Sequence, residues 1–121
     1  MAGHGGGLTT HVLDTTHGMP GAGIEVELFR LEGDERRLLK SVRTNADGRC
    51  DAPLLGTSEV ARGVYELVFH VGDYFRTTGV TLPDPPFLDL VPLRFAIAEP
   101  SRHYHVPLLI SPWCYSTYRG S

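Results

Sequence analysis

Short runs in which apolar and polar side chains alternate, each cut off by glycine, proline, asparagine or aspartate, limit this chain to strands joined by tight turns. The clearest is Gly63 to Val71, where Val64, Tyr65, Val68 and Phe69 supply the β-branched and aromatic residues that suit a pleated surface. It predicts a strand in the interior of its sheet. Leu8–Asp14 reads as the first strand, with Thr9, His11 and Leu13 on one face and Thr10, Val12 and Asp14 on the other. Gly18, Pro20, Gly21 and Gly23 then make turn chemistry of the stretch 15–23, before a half-buried strand from Ile24 to Leu31. Gly33-Asp34 marks a hairpin, with a return strand over Arg37–Thr44 whose alternation is poor. Asn45-Ala46-Asp47-Gly48 is a strong tight-turn signal placed directly before Arg49. A short strand is expected at Cys50–Leu55, followed by a polar loop.

Asp73 to Gly79 predicts one or two helical turns, with Asp73 as the N-cap and Gly79 at the end, and no other helix is expected. Phe87–Ala98 reads as a strand that Pro92 confines to an edge or a bulge. The last stretch reads as two strands joined at Ser111-Pro112. In the first, His103, His105, Pro107 and Leu109 face away from Tyr104, Val106 and Leu108; in the second, Ser116, Tyr118 and Gly120 face away from Tyr115, Thr117 and Arg119. About eight such strands indicate an all-β antiparallel sandwich or barrel. An immunoglobulin domain is disfavoured, because Trp113 adjoins Cys114 instead of standing on a strand between two cysteines.

With 121 residues and 41% hydrophobic content, one domain over 8–121 is expected, after a glycine-rich, flexible start at 1–7 in which His4 has no role. A net charge of -3 and scattered basic residues argue against nucleic acid or an anionic membrane as partner. No apolar run approaches the ~20 residues of a membrane span, and Met1–Gly7 lacks the features of a signal peptide, so a cytoplasmic protein is expected. Cys50 and Cys114 belong to no paired motif and are expected as reduced thiols filling the core.

His11, His103 and His105 admit three readings. They can be partly buried histidines with satisfied ring nitrogens. They can be a metal site, since His103 and His105 project side by side and His11 could add a third nitrogen. Or a neutral imidazole can act as general base on water while a guanidinium holds the developing negative charge, which requires a histidine and an arginine in one pocket. Covalent catalysis finds no support: there is no Ser-His-Asp set, no Gly-x-Ser-x-Gly elbow and no activating neighbour for Cys114. No phosphate-cradling glycine loop is present either. Because the sequence stops at Ser121, inside a strand carrying Tyr118 and Arg119, the terminus is expected to take part in a site.

Thr10-His11-Val12-Leu13-Asp14 with its following glycine and proline turn, Thr44-Asn45-Ala46-Asp47-Gly48-Arg49, Gly63-Val64-Tyr65-Glu66-Leu67 and the terminal Tyr118-Arg119-Gly120-Ser121 together carry a resemblance. From Leu8 to Ser121 the chain resembles the 5-hydroxyisourate hydrolases, the purine-catabolic branch of the transthyretin-like family. That resemblance implies a sandwich of two four-stranded antiparallel sheets with one short helix, and a homotetramer whose active sites line a central channel. It implies hydrolysis of 5-hydroxyisourate to 2-oxo-4-hydroxy-4-carboxy-5-ureidoimidazoline in urate degradation, with no metal or other cofactor. Residue by residue, it implies a catalytic set of His11, Arg49, His105 and Ser121 and substrate contacts by His11, Arg49 and Tyr118. His103, Arg119 and Gly120 belong to the motifs without an assigned role. The rival readings are a transthyretin-like carrier of a small aromatic ligand, without chemistry, and a zinc hydrolase using the three histidines.

Overall fold

Leu8, Thr10, Val12 and Asp14 are buried while Thr9, His11 and Leu13 are half-buried, so the first strand, β1 (Leu8–Asp14), lies as its alternation predicts. The computed structural model describes residues 6–121. β2 (Met19–Pro20), β3 (Glu25–Glu32), β4 (Glu35–Arg43) and β5 (Gly63–His70) follow in order; α1 (Val71–Thr77) is the one helix among the described residues, and β6 (Leu90–Ile97), β7 (Tyr104–Ile110) and β8 (Tyr115–Thr117) complete the set. Two four-stranded sheets form, ordered β2-β1-β7-β8 and β4-β3-β5-β6. Their inner faces supply a single core that includes Val12, Leu28, Leu67, Phe69, Leu108 and Ile110. β5 is interior and β6, with Pro92, is an edge, as the residues predict.

Several expectations need correction. The sheets are not wholly antiparallel: β1 and β7 run parallel, with Leu8 opposite Tyr104 and Asp14 opposite Ile110. Parallel neighbours need a long crossover, and here the whole second sheet intervenes. The strand count of eight stands, but its members differ. Cys50–Leu55 is not a strand; only Leu55 forms an isolated bridge, to Leu8, while Met19–Pro20 pairs with the end of β1. The weak alternation of the return strand has a physical cause. Leu28 pairs with Lys40 and Phe29 with Leu38, so Leu39 bulges out of register.

The helix begins two residues before its expected cap. His70 occupies the N-cap position without a side-chain bond, and Asp73 lies in the first turn. Cys50 is half-buried, but Cys114 is exposed and fills no core; both are free thiols. The expected flexibility of the start, and an idle His4, fall on residues 1–5, outside the described residues. Gly6 and Gly7 are buried, and the Gly7 carbonyl accepts the Tyr104 N–H at 2.9 Å, extending β1 toward β7. No helix among the described residues is long and apolar enough to cross a membrane.

Asp14 ties β1 to α1. Its buried carboxylate accepts from Tyr74 Oη (2.7 Å), His17 Nδ1 (2.6 Å) and the backbone N–H groups of Thr16 (2.9 Å) and His17 (3.1 Å). Burial pushes the carboxyl up, but the bonds from Tyr74 and His17 outweigh it and hold Asp14 below the usual carboxylate range. The stability it contributes is therefore complete above about pH 3.9 and is lost as pH falls through its lower folded-state value. Asp14→Ala, which also leaves the Tyr74 hydroxyl buried without its acceptor, is expected to cost about 3 kcal/mol at neutral pH in urea unfolding, and less as the pH is lowered.

Candidate active site

Strand register assembles the site on the outer face of the first sheet. The parallel pairing of β1 with β7 sets Thr9 opposite His105 and His11 opposite Pro107. On the far side of β7, Leu108 pairs with Thr117 in β8, and an isolated bridge between His105 and Gly120 continues that register past the strand's end. Tyr118 therefore falls opposite Pro107. On the near side of β1, a further bridge joins His11 to Arg49. Paired residues share a face, so two neighbouring rows cross the sheet: Arg49, His11, Pro107, Tyr118, and beside them Thr9, His105, Gly120. His103, opposite Gly7, begins the next row.

Arg49 owes its position to the turn before it. Asn45 accepts the N–H groups of Asp47 (2.9 Å) and Arg49 (3.1 Å) on its side-chain oxygen, and its own N–H donates to the Arg49 carbonyl at 2.6 Å. Gly48, at a φ of 76°, accepts the Val12 N–H at 2.8 Å and so pins the turn against β1. The turn also fixes His11, whose Nε2 donates to the Asp47 carbonyl at 2.9 Å. Arg36 and Arg43 are paired with Glu66 and Glu25, whereas the exposed Arg49 has no carboxylate in salt-bridge reach among the described residues. It borders a cavity of about 120 Å³ together with Thr9, Thr10, Cys50 and Ala52.

His105 is half-buried, with Nδ1 2.8 Å from the Thr9 hydroxyl. Burial lowers its pKa, and the nearby Arg49 guanidinium and the His103 and His11 rings lower it further. It is held neutral where an ordinary histidine would begin to charge. Its ring rests on Gly120: a β-carbon there would lie 2.6 Å from Cδ2, so only glycine lets the last segment close against the imidazole. The Gly120 N–H donates to the His105 carbonyl at 2.8 Å. The arrangement combines a neutral imidazole with an unpaired guanidinium beside an open face, which suits attack of water on a carbonyl.

The model of the HIUase/Transthyretin family matches residues 8–120. The chain belongs to that family. It is similar to 5-hydroxyisourate hydrolase 2 of Rhizobium meliloti (strain 1021), at 64% identity over 96% of this chain and 97% of the relative. Among solved structures it is similar to the 5-hydroxyisourate hydrolase of Klebsiella pneumoniae, at 34% identity and a TM-score of 0.77 over 95% of this chain and 99% of the other. Sea bream transthyretin in complex with thyroxine shares 26% identity and a TM-score of 0.83, with 93% of each chain covered.

In this member of the HIUase/transthyretin family the structure brings His11, His103, His105 and Arg49 to one face. The three histidines do not converge as metal ligands. The described residues contain one set of three potential ligands within 4.8 Å of one another, Glu25, Glu27 and His70, on the other sheet. Around the site, Thr9 Oγ1 lies between His103 Nε2 (3.0 Å) and His105 Nδ1 (2.8 Å), and His11 Nε2 is taken by Asp47. Arg119 turns to the opposite face of β7, its guanidinium 4.2 Å from the centre of the Tyr104 ring, and clasps the final segment to the fold. Tyr118 is 61% exposed and also borders a cleft of about 340 Å³ against β6, on the Tyr104 side. Register decides its face, because Arg119, its neighbour, is the residue that stacks on the inner side. Ser121 is exposed, one residue beyond the contact between Gly120 and His105. Thr9 and Asn45 are the participants that sequence reasoning passed over. Thr9 shares the face of His11, but no local signal marks its bond to His105; Asn45 could have been found from the ability of its amide to close a turn on its own backbone.

Proposed function

We propose that this chain hydrolyses 5-hydroxyisourate to 2-oxo-4-hydroxy-4-carboxy-5-ureidoimidazoline. The observation that carries the proposal is the row Arg49, His11, Pro107, Tyr118 lying directly beside Thr9, His105, Gly120. A flat heterocycle rich in carbonyl and N–H groups can lie along the first row, with His105 at its flank. His105 takes a proton from water as the water oxygen adds to the ring carbonyl, and Arg49 stabilises the oxyanion with its planar donors. The carbon–nitrogen bond then breaks, the ring nitrogen takes the proton back from His105, and the six-membered ring opens to a carboxylic acid, which gives its proton to solvent and leaves as the carboxylate. His11, with Nε2 committed to Asp47, orients the substrate or the water through its other nitrogen. Ser121 adds a polar group beside His105, and Tyr118 forms a wall.

The site is open on its outer side, and four copies meeting across this face would close it, as the homotetramer implied by the resemblance would. A homotetramer is therefore part of the proposal, as is function in the cytoplasm without a metal.

Ultraviolet decay of freshly generated 5-hydroxyisourate tests the activity: loss above the background rate supports the hydrolase, and background loss alone favours a carrier like the thyroxine-bound transthyretin. The same assay gives a pH prediction. The base works when neutral, so kcat/KM should rise with pH through the His105 pKa and then level off. Burial and the neighbouring Arg49, His103 and His11 place that inflection below the value of about 6.5 for an ordinary histidine. Activity should thus persist into mildly acidic solution, and an inflection above 6.5 would count against His105 as the base.

A further inference from the structure

The Thr9 hydroxyl joins two imidazoles, and a hydroxyl has a single proton to give. Its Oγ1 is 3.0 Å from His103 Nε2 and 2.8 Å from His105 Nδ1, so it donates to one ring and accepts from the other. The far end of the chain settles the direction. His103 Nδ1 lies 3.2 Å from the Gly6 carbonyl oxygen, which can only accept, so Nδ1 carries a proton. A neutral His103 therefore presents a bare Nε2, to which Thr9 donates. Thr9 must in turn accept, and the remaining partner, His105, gives it the proton on Nδ1. With Nδ1 protonated, the lone pair of a neutral His105 lies on Nε2. Among the described residues no protein group bonds to that nitrogen, and it is not sealed from solvent.

We infer that Thr9 and His103 are positioning residues, which hold His105 in the Nδ1–H tautomer so that Nε2 is the atom that takes the proton from water. The inference rests on the hydrolase reading and adds to it two residues and an atom. The tautomer of an imidazole is set by what its second nitrogen meets, and here three polar groups in series set it. When Nε2 gains its proton the ring becomes a cation with both nitrogens protonated, and the Nδ1–H bond to Thr9 is kept, so no partner need rearrange. The opposite polarity would place the His105 lone pair against the Thr9 hydroxyl and a proton on Nε2, leaving no basic nitrogen for water. The charged and titratable groups that face His105 are Arg49, His103 and His11, and Gly120 of the terminal segment lies against its ring.

Long-range proton–nitrogen correlation spectra of histidine-labelled protein, recorded at a pH at which both His103 and His105 are neutral, test this directly. The expected spectrum shows a protonated Nδ1 and an unprotonated Nε2 for His105. A protonated Nε2 would overturn the inference, whatever the turnover of the same sample, which reports separately on the hydrolase reading. Thr9→Val keeps the shape of the side chain and removes the hydroxyl. It is expected to lower kcat roughly 10- to 100-fold, by analogy with the loss of a partner that orients a metal-ligating histidine, with little change in KM and with the His105 nitrogen shifts moving toward a mixture of tautomers. Thr9→Ser should restore both rate and shifts. Wild-type shifts and kcat in Thr9→Val would equally refute the role, and the wild-type spectrum decides the matter if that variant does not fold.

Discussion

Arg49→Ala is expected to lower kcat about 100- to 1,000-fold, the loss typical of removing one preorganised oxyanion donor, and to shift the acid limb of the pH–rate profile upward. The two effects have separate causes. The first is loss of the guanidinium fork at the developing oxyanion. The second follows from the position of Arg49 beside His105: burial is the larger influence lowering that histidine, and the Arg49 charge adds to it, so removing the charge lets the pKa rise part of the way back. Arg49→Lys separates them. An ammonium keeps the charge but not the planar pair of donors, so kcat should remain low while the inflection stays near its wild-type position. Unfolding by urea should be little changed in either variant, because Arg49 is exposed and spends no ion pair on the fold. Wild-type kcat in Arg49→Ala would remove the guanidinium from the chemistry, and a fixed inflection would show that its charge does not reach His105.

How far the site could be read from the residues depends on how local each contact is. The side of β1 that carries His11, and the side of β7 that carries His105, follow from alternation alone, because a strand has only two faces and Leu8, Val12, Val106 and Leu108 claim one of them. Asn45-Ala46-Asp47-Gly48 announces its turn for the same reason: the φ of Gly48 and the Asn45 amide bonds are settled within a few residues. What alternation cannot supply is the partner. Thr9 meets His105 across 96 positions of sequence through a parallel pairing that no turn encodes, so the hydroxyl that joins the histidines was hidden while both histidines were visible. The bulge at Leu39 blurred the period of β4, and Cys50–Leu55 looked like a strand although it pairs with β1 only at Leu55. The helix start was misplaced because Asp73 has the chemistry of a cap, while packing of Val71 and Phe75 in the core fixes where α1 begins.

The second large effect belongs to a residue with no chemistry. Gly48→Ala is expected to destabilise the fold by about 2–4 kcal/mol and, in the protein that remains folded, to lower kcat/KM by about 100-fold. At a φ of 76° any side chain is strained, and a β-carbon at this position would collide with the Val12 carbonyl oxygen and crowd Pro20 and the Gly21 nitrogen. The Val12 carbonyl cannot retreat, since it belongs to β1 and accepts the Gly21 N–H, just past β2, at 2.9 Å. The turn must therefore lift away from the strand, stretching the 2.8 Å bond from the Val12 N–H to the Gly48 carbonyl. Both groups that this turn positions then move together. Arg49 is the next residue, and His11 is held through the Asp47 carbonyl at 2.9 Å. Urea unfolding reports the first effect and the ultraviolet decay of 5-hydroxyisourate the second. Loss of both in parallel is the expected result. A variant that is destabilised but turns over at the wild-type rate would mean that the guanidinium and His11 find their places without the turn, and that the link from backbone conformation to catalysis drawn through Gly48 is wrong.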